Sequence, residues 1–324
     1  MEYTRLGKSG LVTSRLIIGG MSFGDPDRGT PWSIGMDEAR PIVRAALDAG
    51  ITCFDTANGY SDGTSEEILG ALISEFGVRE QVLLATKVNR RMHPGPKGGG
   101  LSRGAILSQV DASLRRLGTD YIDLYQIHRL DRSVPLEETL QTLDDLVRSG
   151  KVRYIGASSM HAREFVRAQY VADLHGWTRF VSMQDQYSLL MREEEREMHP
   201  FCLEEGVGVI PWSPLARGRL AREWGTVTHR LRTDEPGSTF YNQATEADRA
   251  VVEEVGAIAA ERGLTRAQVA LAWNLHKPAV SAPIVGVSRV EQLEELLGAI
   301  DVKLDEDEIA RLERPYTPRL PVGF

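Results

Sequence analysis

Four side chains with acid–base chemistry follow successive apolar segments in the first half of the sequence. Asp55 ends the segment ITCFD, Tyr60 comes five residues later, Lys87 ends VLLATK and His128 ends YIDLYQIH. Taken singly, each has a structural explanation: a turn cap, a solvated lysine or a satisfied core histidine. An acid, a phenol, an amine and an imidazole on one rim can instead hold, polarise and protonate a reacting group. Their coincidence favours a catalytic site.

The segments that must position these groups alternate between apolar runs and amphipathic stretches. After a hairpin predicted over YTRLGKSGLVTSR, the strand candidates are LIIGG, ITCFD, VLLATK, YIDLYQIH, VRYIGAS, FVSMQ, VGVIPW and APIVGVS. The helix candidates are MDEARPIVRAALDAG, SEEILGALISEFG, SRGAILSQVDASLRRLG, PLEETLQTLDDLVRSG, HAREFVRAQYVADLHG, EEEREMHPFCLEEG, TRAQVALAWNLHK and RVEQLEELLGAI. Ser65 and Ser102 occupy expected N-cap positions.

Eight strands alternating with eight helices predict an α/β fold, a single (β/α)8 TIM barrel domain over residues 1–324. A doubly wound sheet is the alternative, but the first strand is followed by GGMSFGDPD and not by G-x-G-x-x-G. Long loops follow strand three (VNRRMHPGPKGGGL) and strand seven (residues 213 to about 244). Both leave the carboxyl ends of strands, where barrels hold active sites. The Pro-rich tail RPYTPRLPVGF is not expected to be helical.

Composition narrows the class of protein. The net charge of −8 argues against nucleic acid or an anionic membrane as the main partner. Cys53 and Cys202 suggest no disulfide framework, and no apolar run reaches membrane-spanning length, so a cytoplasmic protein is expected. The scattered histidines form no metal-binding pattern, and no metal is predicted.

The ordered segments FDTANGYSDGTSEEILG, ATK, YIDLYQIH, YIGASS, MQDQYSLL, IPWSPLARGRL and PIVGVSRVEQLEEL resemble signatures of the aldo/keto reductase superfamily. The resemblance runs from Leu6 to about Leu304 and is to the bacterial branch related to fungal aryl-alcohol dehydrogenases and potassium-channel β subunits. It implies a (β/α)8 barrel that binds NADP(H) without a Rossmann domain. The implied activity is NADP(H)-dependent reduction of aldehydes or ketones to alcohols.

The resemblance also implies a catalytic tetrad of Asp55, Tyr60, Lys87 and His128. Carbonyl reduction needs a hydride donor and a proton for the developing alkoxide. A nearby ammonium favours a phenolate, so a charged Lys87 makes the Tyr60 phenol a better proton donor. Asp55 is then the counter-ion of Lys87, and His128 orients the carbonyl oxygen.

For the cofactor, the resemblance implies that Trp212 stacks on the nicotinamide and that Ser288 and Arg289 suit a 2′-phosphate, which favours NADP over NAD. The predicted cofactor-binding residues are Gly20, Met21, Asp55, Ser158, Ser159, Gln184, Trp212, Ser213, Pro214, Leu215, Ala216, Arg217, Gly218, Arg219, Gly286, Ser288, Arg289, Gln292 and Glu295. The second long loop is expected to order over the pyrophosphate.

A small-molecule carbonyl is the predicted partner, and no oligomeric state is predicted. The predicted substrate contacts are Met21, Phe23, Tyr60, His128, Arg129 and Trp212. Aromatic walls suit aryl carbonyls, whereas Arg129, Arg90 and Arg91 suit a phosphate or carboxylate, so aryl, sugar-derived and phosphorylated carbonyls all stay open. Two other functions also stay open: a Schiff-base lyase that uses Lys87, and a cofactor-sensing binding module.

Overall fold

The structure, a computed structural model, describes residues 1–227, 232–233, 241 and 245–321. It begins with an antiparallel hairpin of β1 (Tyr3–Arg5) and β2 (Val12–Ser14). The strands that follow are β3 (Ile17–Gly19), β4 (Cys53–Asp55), β5 (Leu83–Val88), β6 (Ile122–Ile127), β7 (Val152–Ser158), β8 (Ser182–Gln184), β9 (Gly208–Val209) and β10 (Ile284–Val285). All eight are parallel, in the order β10-β3-β4-β5-β6-β7-β8-β9.

Parallel bridges close this sheet into a ring. Val209 pairs with Val280 and Trp212 pairs with Ile284, so the segment through β9 joins the segment through β10. The Ile284 amide donates to the Pro211 carbonyl at 2.9 Å. The fold is therefore the predicted (β/α)8 barrel with an N-terminal hairpin.

Helices cover the outside of the barrel. Those in the described residues are α1 (Met36–Asp48), α2 (Thr64–Phe76), α3 (Arg103–Leu117), α4 (Leu136–Arg148), α5 (Ala162–His175), α6 (Met198–Glu205), α7 (Glu246–Arg262), α8 (Arg266–His276), α9 (Val290–Leu297) and α10 (Glu306–Glu313). In α1 the buried residues Ala39, Ile42, Val43 and Ala46 follow the 3.6-residue period that turns one face towards the sheet. None of the described helices is long and apolar enough to cross a membrane.

The barrel interior is layered from apolar to polar. Cys53, Ala85 and Leu124 form one buried cluster with Leu6 and Leu11 of the hairpin. The hairpin therefore closes the amino end of the barrel. Two residues further along the same strands come Asp55, Lys87 and Gln126, which share the inward face because side chains alternate along a strand. The polar layer thus lies above the apolar layer, at the carboxyl ends.

Two helices were missed in the sequence, α7 and α10. Both begin with a capping box, in which Thr245 and Asp305 accept from the amides of Asp248 and Glu308. The predicted helix over EEEREMHPFCLEEG is shorter than expected, because a 3₁₀ turn at Glu193–Glu195 precedes α6.

Of the two predicted N-caps, Ser102 is confirmed, since its side chain accepts from the Ala105 amide at 3.4 Å. Ser65 is wrong: it lies inside α2, and its hydroxyl donates to the Gly20 carbonyl at 2.7 Å. The tail from Arg314 to Pro321 is not helical, as expected. Much of the predicted loop over 213–244 lies outside the described residues.

Gly70 offers a test of how tightly the helices pack. A Cβ at Gly70 would lie 2.4 Å from the Leu117 carbonyl oxygen, at the end of α3. Backbone cannot give way easily, so Gly70→Ala should cost about 1–3 kcal/mol and lower the apparent melting temperature by several degrees. Gly104→Ala is the control, because its Cβ would meet only the Lys97 side chain at 3.5 Å. Equal thermal stability of Gly70→Ala and the parent would contradict this packing.

Candidate active site

Lys87 lies at the centre of the polar layer and has no exposed surface. Its Nζ forms an ion pair with Asp55 Oδ1 and donates to the Thr56 carbonyl at 2.8 Å and to Tyr60 Oη at 3.3 Å. Three acceptors match the three N–H donors of an ammonium. Burial lowers the pKa of Lys87, but the charges of Asp55 and Tyr60 and the hydrogen bonds to both together outweigh burial, so this pKa lies above the usual value. Lys87 is therefore held charged beside the phenol.

The other oxygen of Asp55 is held by two amides. Gln126 Nε2 donates to Asp55 Oδ2 at 2.8 Å, and Gln184 Nε2 donates to the same atom at 3.0 Å. Gln184 Nε2 also lies 3.0 Å from Gln126 Oε1. A Cβ at Gly156 would lie 3.1 Å from Gln126 Cγ, so the glycine leaves room for this side chain. The carboxylate is thus fixed from both sides, and Lys87 with it.

Tyr60 is positioned by a strained turn. The next residues, Ser61 and Asp62, have φ of 44° and 52°, in the left-handed region. Ser61 Oγ lies 2.9 Å from Ser33 Oγ. A Cβ at Gly29 would lie 2.5 Å from Ser61 Cα, so the loop that contains Gly29 and Ser33 packs directly on this turn. That loop keeps the turn, and hence Tyr60, in place.

His128 lies beside Tyr60, with ring centroids 5.6 Å apart and planes at 84°. Burial, followed by the positive charges of Lys87, Arg129 and Arg90, holds the pKa of His128 well below its ordinary value of 6.5. The imidazole is therefore neutral near neutral pH. A neutral imidazole can donate one N–H to a substrate oxygen without giving up a proton.

These groups open into a cleft of about 1230 Å³ at the carboxyl ends of the strands. That is more than an ordinary small-molecule pocket of roughly 300–1,000 Å³ and leaves room for a cofactor and a substrate together. The predicted site residues that line the cleft are Met21, Asp55, Tyr60, His128, Arg129, Ser158, Gln184, Trp212, Ser213, Pro214, Leu215, Arg217, Gly218, Gly286, Ser288, Arg289, Gln292 and Glu295.

The matching family model is the aldo/keto reductase family, which covers residues 15–316. The chain belongs to the aldo/keto reductase family. It is 43% identical to versiconal hemiacetal acetate reductase of Aspergillus parasiticus, with 98% of both chains covered. It is also 43% identical to an aldo-keto reductase of Alternaria alternata, over 99% of this chain and 93% of the relative. A Schizosaccharomyces pombe protein named as an aryl-alcohol dehydrogenase is 43% identical over 98% of this chain and 96% of its own.

These relatives make this aldo/keto reductase an oxidoreductase, of a family that typically binds a nicotinamide cofactor. They are fungal proteins, and they do not support the predicted placement in a bacterial branch or the link to potassium-channel β subunits. The predicted relationship to aryl-alcohol dehydrogenases is confirmed.

Phe23, a predicted substrate contact, does not line the cleft of this aldo/keto reductase. Its side chain is fully buried in the apolar core, directly after the 3₁₀ turn Gly20–Ser22. Trp32 and Ile34 of the following loop line the cleft instead.

Four predicted cofactor contacts lie behind the cleft wall: Gly20, Ser159, Ala216 and Arg219. Gly20 and Ala216 are buried. Ser159 Oγ accepts from Trp212 Nε1 at 3.1 Å, so Ser159 orients the indole and does not face the cleft. The Arg219 guanidinium lies over the Tyr241 ring, 5.1 Å from its centroid.

The end of the cleft near β9 and β10 fits a phosphate-bearing group. Ser288 and Arg289 directly precede α9, where backbone amides favour an anion. Gln292 Oε1 accepts from the Ser288 amide at 2.9 Å and fixes this turn. A Cβ at Gly286 would meet no atom within 4 Å, so the space beside it is open. Arg217 lines the opposing wall from the segment after β9.

Gln126 is the principal residue that the sequence analysis missed. It lies on β6 in register with Lys87 of β5 and links Asp55 to Gln184. The signal was an amide placed two residues before His128 on an otherwise apolar strand. On a buried strand such a polar side chain needs partners, and here they are the site residues.

The pKa of His128 predicts how stability depends on pH. The unfolded chain binds a proton near pH 6.5, whereas folded His128 stays neutral to lower pH. Neutral His128 therefore makes its full contribution to the free energy of unfolding above about pH 6.5. This contribution is lost as the pH falls, by at most about 1.4 kcal/mol per pH unit. We expect the free energy of unfolding in urea to fall less steeply on acidification in His128→Asn than in the parent. Equal slopes below about pH 6.5 would show that folded His128 takes up its proton normally.

Proposed function

We propose that this aldo/keto reductase is an NADP(H)-dependent oxidoreductase that reduces aldehydes or ketones to alcohols, with Tyr60 as the proton donor. The observation that carries the proposal is the buried Lys87 ammonium, held by Asp55 and directed at the Tyr60 hydroxyl at 3.3 Å. A charged donor beside a phenol has a clear use in proton transfer. We assign the activity to one catalytic domain over residues 1–324.

Bound NADPH supplies the hydride for such a reduction. Tyr60 then donates its proton to the carbonyl oxygen, and the Lys87 ammonium, 3.3 Å away, offsets the negative charge left on the phenol oxygen. Neutral His128 holds that oxygen by donating its N–H. In alcohol oxidation the same groups act in reverse, and Tyr60 is the base.

The cofactor residues divide between the two ends of the cleft. Trp212, oriented by Ser159, offers a flat face to the nicotinamide. Gln184 uses its Nε2 on Asp55 and Gln126, which leaves Oε1 as the acceptor for a carboxamide N–H. Ser288, Arg289 and Gln292 would hold the 2′-phosphate, which is the ground for NADP over NAD.

Aryl, sugar-derived and phosphorylated carbonyls are the substrate classes that we propose. The aromatic walls are formed by Trp32 and Trp212. The named relatives act, by their names, on a hemiacetal acetate and on aryl alcohols, which supports carbonyl compounds of some size.

A Schiff-base lyase is disfavoured by the state of Lys87. A nucleophilic amine must be neutral and must reach its substrate. Lys87 is buried, has all three N–H groups engaged and has a raised pKa, and it does not line the cleft. A purely cofactor-sensing module is disfavoured because the complete tetrad is assembled.

Tyr60→Phe tests the proton donor. Removing one oxygen keeps the ring, so NADPH affinity, measured by fluorescence, should stay within a few-fold of the parent. Turnover of a reactive aldehyde should fall by at least about 10²-fold, because general acid catalysis is typically worth that much. Tyr170→Phe is the control, since Tyr170 is exposed on α5. Near-parental turnover by Tyr60→Phe would remove Tyr60 as the acid.

Arg289→Ala tests cofactor choice. If the exposed Arg289 contacts the 2′-phosphate, its loss should raise the Michaelis constant for NADPH about 10-fold or more and leave that for NADH nearly unchanged. Arg163→Ala, on exposed α5 surface, should change neither constant. Equal use of NADPH and NADH by the parent protein would contradict the assignment.

A further inference from the structure

We propose that the reactive end of the cleft selects carbonyl compounds that carry an anionic group, a carboxylate or a phosphate, and binds that group through Arg129 and Arg90. The inference rests on the proposed function, because it names the substrate class of the same site.

Arg90 and Arg129 leave neighbouring strands at the same height. Arg90 follows β5 and Arg129 follows β6, and the last residues of these strands, Val88 and Ile127, are paired. Both arginines line the cleft that also contains Tyr60. A group bound between the two guanidinium ions would therefore lie beside the proton donor.

The position of Arg90 is set by Gly59, the residue before Tyr60. A Cβ on Gly59 would lie 2.6 Å from both Cβ and Cγ of Arg90, so the arginine stem lies directly over the glycine. Buried Asn58 donates through Nδ2 to the Arg90 carbonyl at 3.4 Å. The turn that carries Tyr60 thus also holds Arg90.

Arg129 is half-buried beside the reacting groups. Its Nη1 donates to the His128 carbonyl at 2.6 Å, and its guanidinium lies 6.0 Å from the centroid of the Trp212 ring. Burial lowers the pKa of Arg129, and the positive charge of Arg90 adds to that effect. The two cations therefore repel each other.

The described residues at this end of the cleft carry an excess of positive charge. Arg91 lines it as well, as does Arg28, which is paired with Glu67 at 3.8 Å. The carboxylates at this end are Asp62 and Asp55, of which Asp55 is paired with Lys87. An anionic substituent would offset the repulsion and would be drawn in by the field. A guanidinium fork also matches the two oxygens of a carboxylate or phosphate.

The phosphates of the cofactor do not account for this charge. In the ring order β10-β3-β4-β5-β6-β7-β8-β9, strands β5 and β6 stand half a turn from β9 and β10. Ser288, Arg289 and Arg217, the candidate phosphate ligands, follow β10 and β9. The two groups of cations therefore lie on opposite sides of the barrel mouth. Arg90 and Arg129, which follow β5 and β6, can bind a second anion that is not part of the cofactor.

The test compares matched substrates at saturating NADPH. One pair is para-formylbenzoate and its methyl ester, and the other is glyceraldehyde 3-phosphate and glyceraldehyde. We expect kcat/KM for at least one anionic member to exceed that of its neutral partner about 10-fold or more, and to fall as salt is added. Whichever pair shows the larger ratio identifies the anion as carboxylate or phosphate.

Two variants assign the ratio to the arginines. Arg129→Met and the exposed Arg90→Met should each lower kcat/KM for the preferred anion about 10- to 100-fold, and Arg90→Met should change that for its neutral partner less than about three-fold. Arg163→Met is the control, since Arg163 is an exposed cation at the start of α5, outside the cleft. Even if Arg129→Met folds poorly, Arg90→Met keeps the test decisive, because Arg90 is an exposed residue.

The outcomes separate this inference from the proposed function. If the parent reduces neutral and anionic members equally well, the proposed anion site is wrong, but the proposed reductase activity is supported. If the parent oxidises no NADPH with any of these substrates, the proposed reductase activity is wrong. The anion site is then tested by calorimetry. Para-hydroxymethylbenzoate should then bind the protein more tightly than its methyl ester does, and Arg90→Met should remove the difference. Equal binding of acid and ester overturns the inference.

Discussion

Burying the ammonium of Lys87 inside the barrel is the constraint on which the site depends. A buried charge is tolerated only when a counter-charge and hydrogen bonds replace water, and removing one partner leaves an uncompensated ion. Asp55 supplies the counter-charge, and Gln126 and Gln184 complete its hydrogen bonds. Neighbouring strands of the barrel are thereby tied to a single cation. Tyr60 lines the cleft, and its hydroxyl accepts a hydrogen bond from Lys87.

Electrostatics divides the mouth of the barrel into two halves. The half near β9 and β10 carries a helix N-terminus and Arg289, whereas the half near β5 and β6 carries Arg90 and Arg129. Neutral His128 lies next to the second half, and its neutrality follows from burial and from these same positive charges. The field that would attract an anion thus also keeps the imidazole from competing as a proton donor.

Site residues could be predicted from the sequence where a side chain with acid–base chemistry stands at the end of a predicted strand. Asp55, Lys87 and His128 end apolar segments, and the two-residue period of a strand then places them inside the barrel. Gln126 could not be read in this way, because its meaning depends on partners 71 and 58 residues away. The burial of Phe23 could not be predicted in this way either, because Phe23 follows a 3₁₀ turn and does not belong to a strand. Helix α7 was missed beside a long loop although its capping box is local.

The hairpin that closes the amino end of the barrel has a consequence for folding during synthesis. The hairpin packs against residues that are distant in the sequence. The Lys8 amide donates to the Gly206 carbonyl at 2.7 Å, and Gly7 lies too close to Gly206 to carry a side chain. A ribosome must therefore make about two hundred residues before Leu6 and Leu11 can be covered. Until then the hairpin leaves the apolar side chains of Leu6 and Leu11 in contact with water.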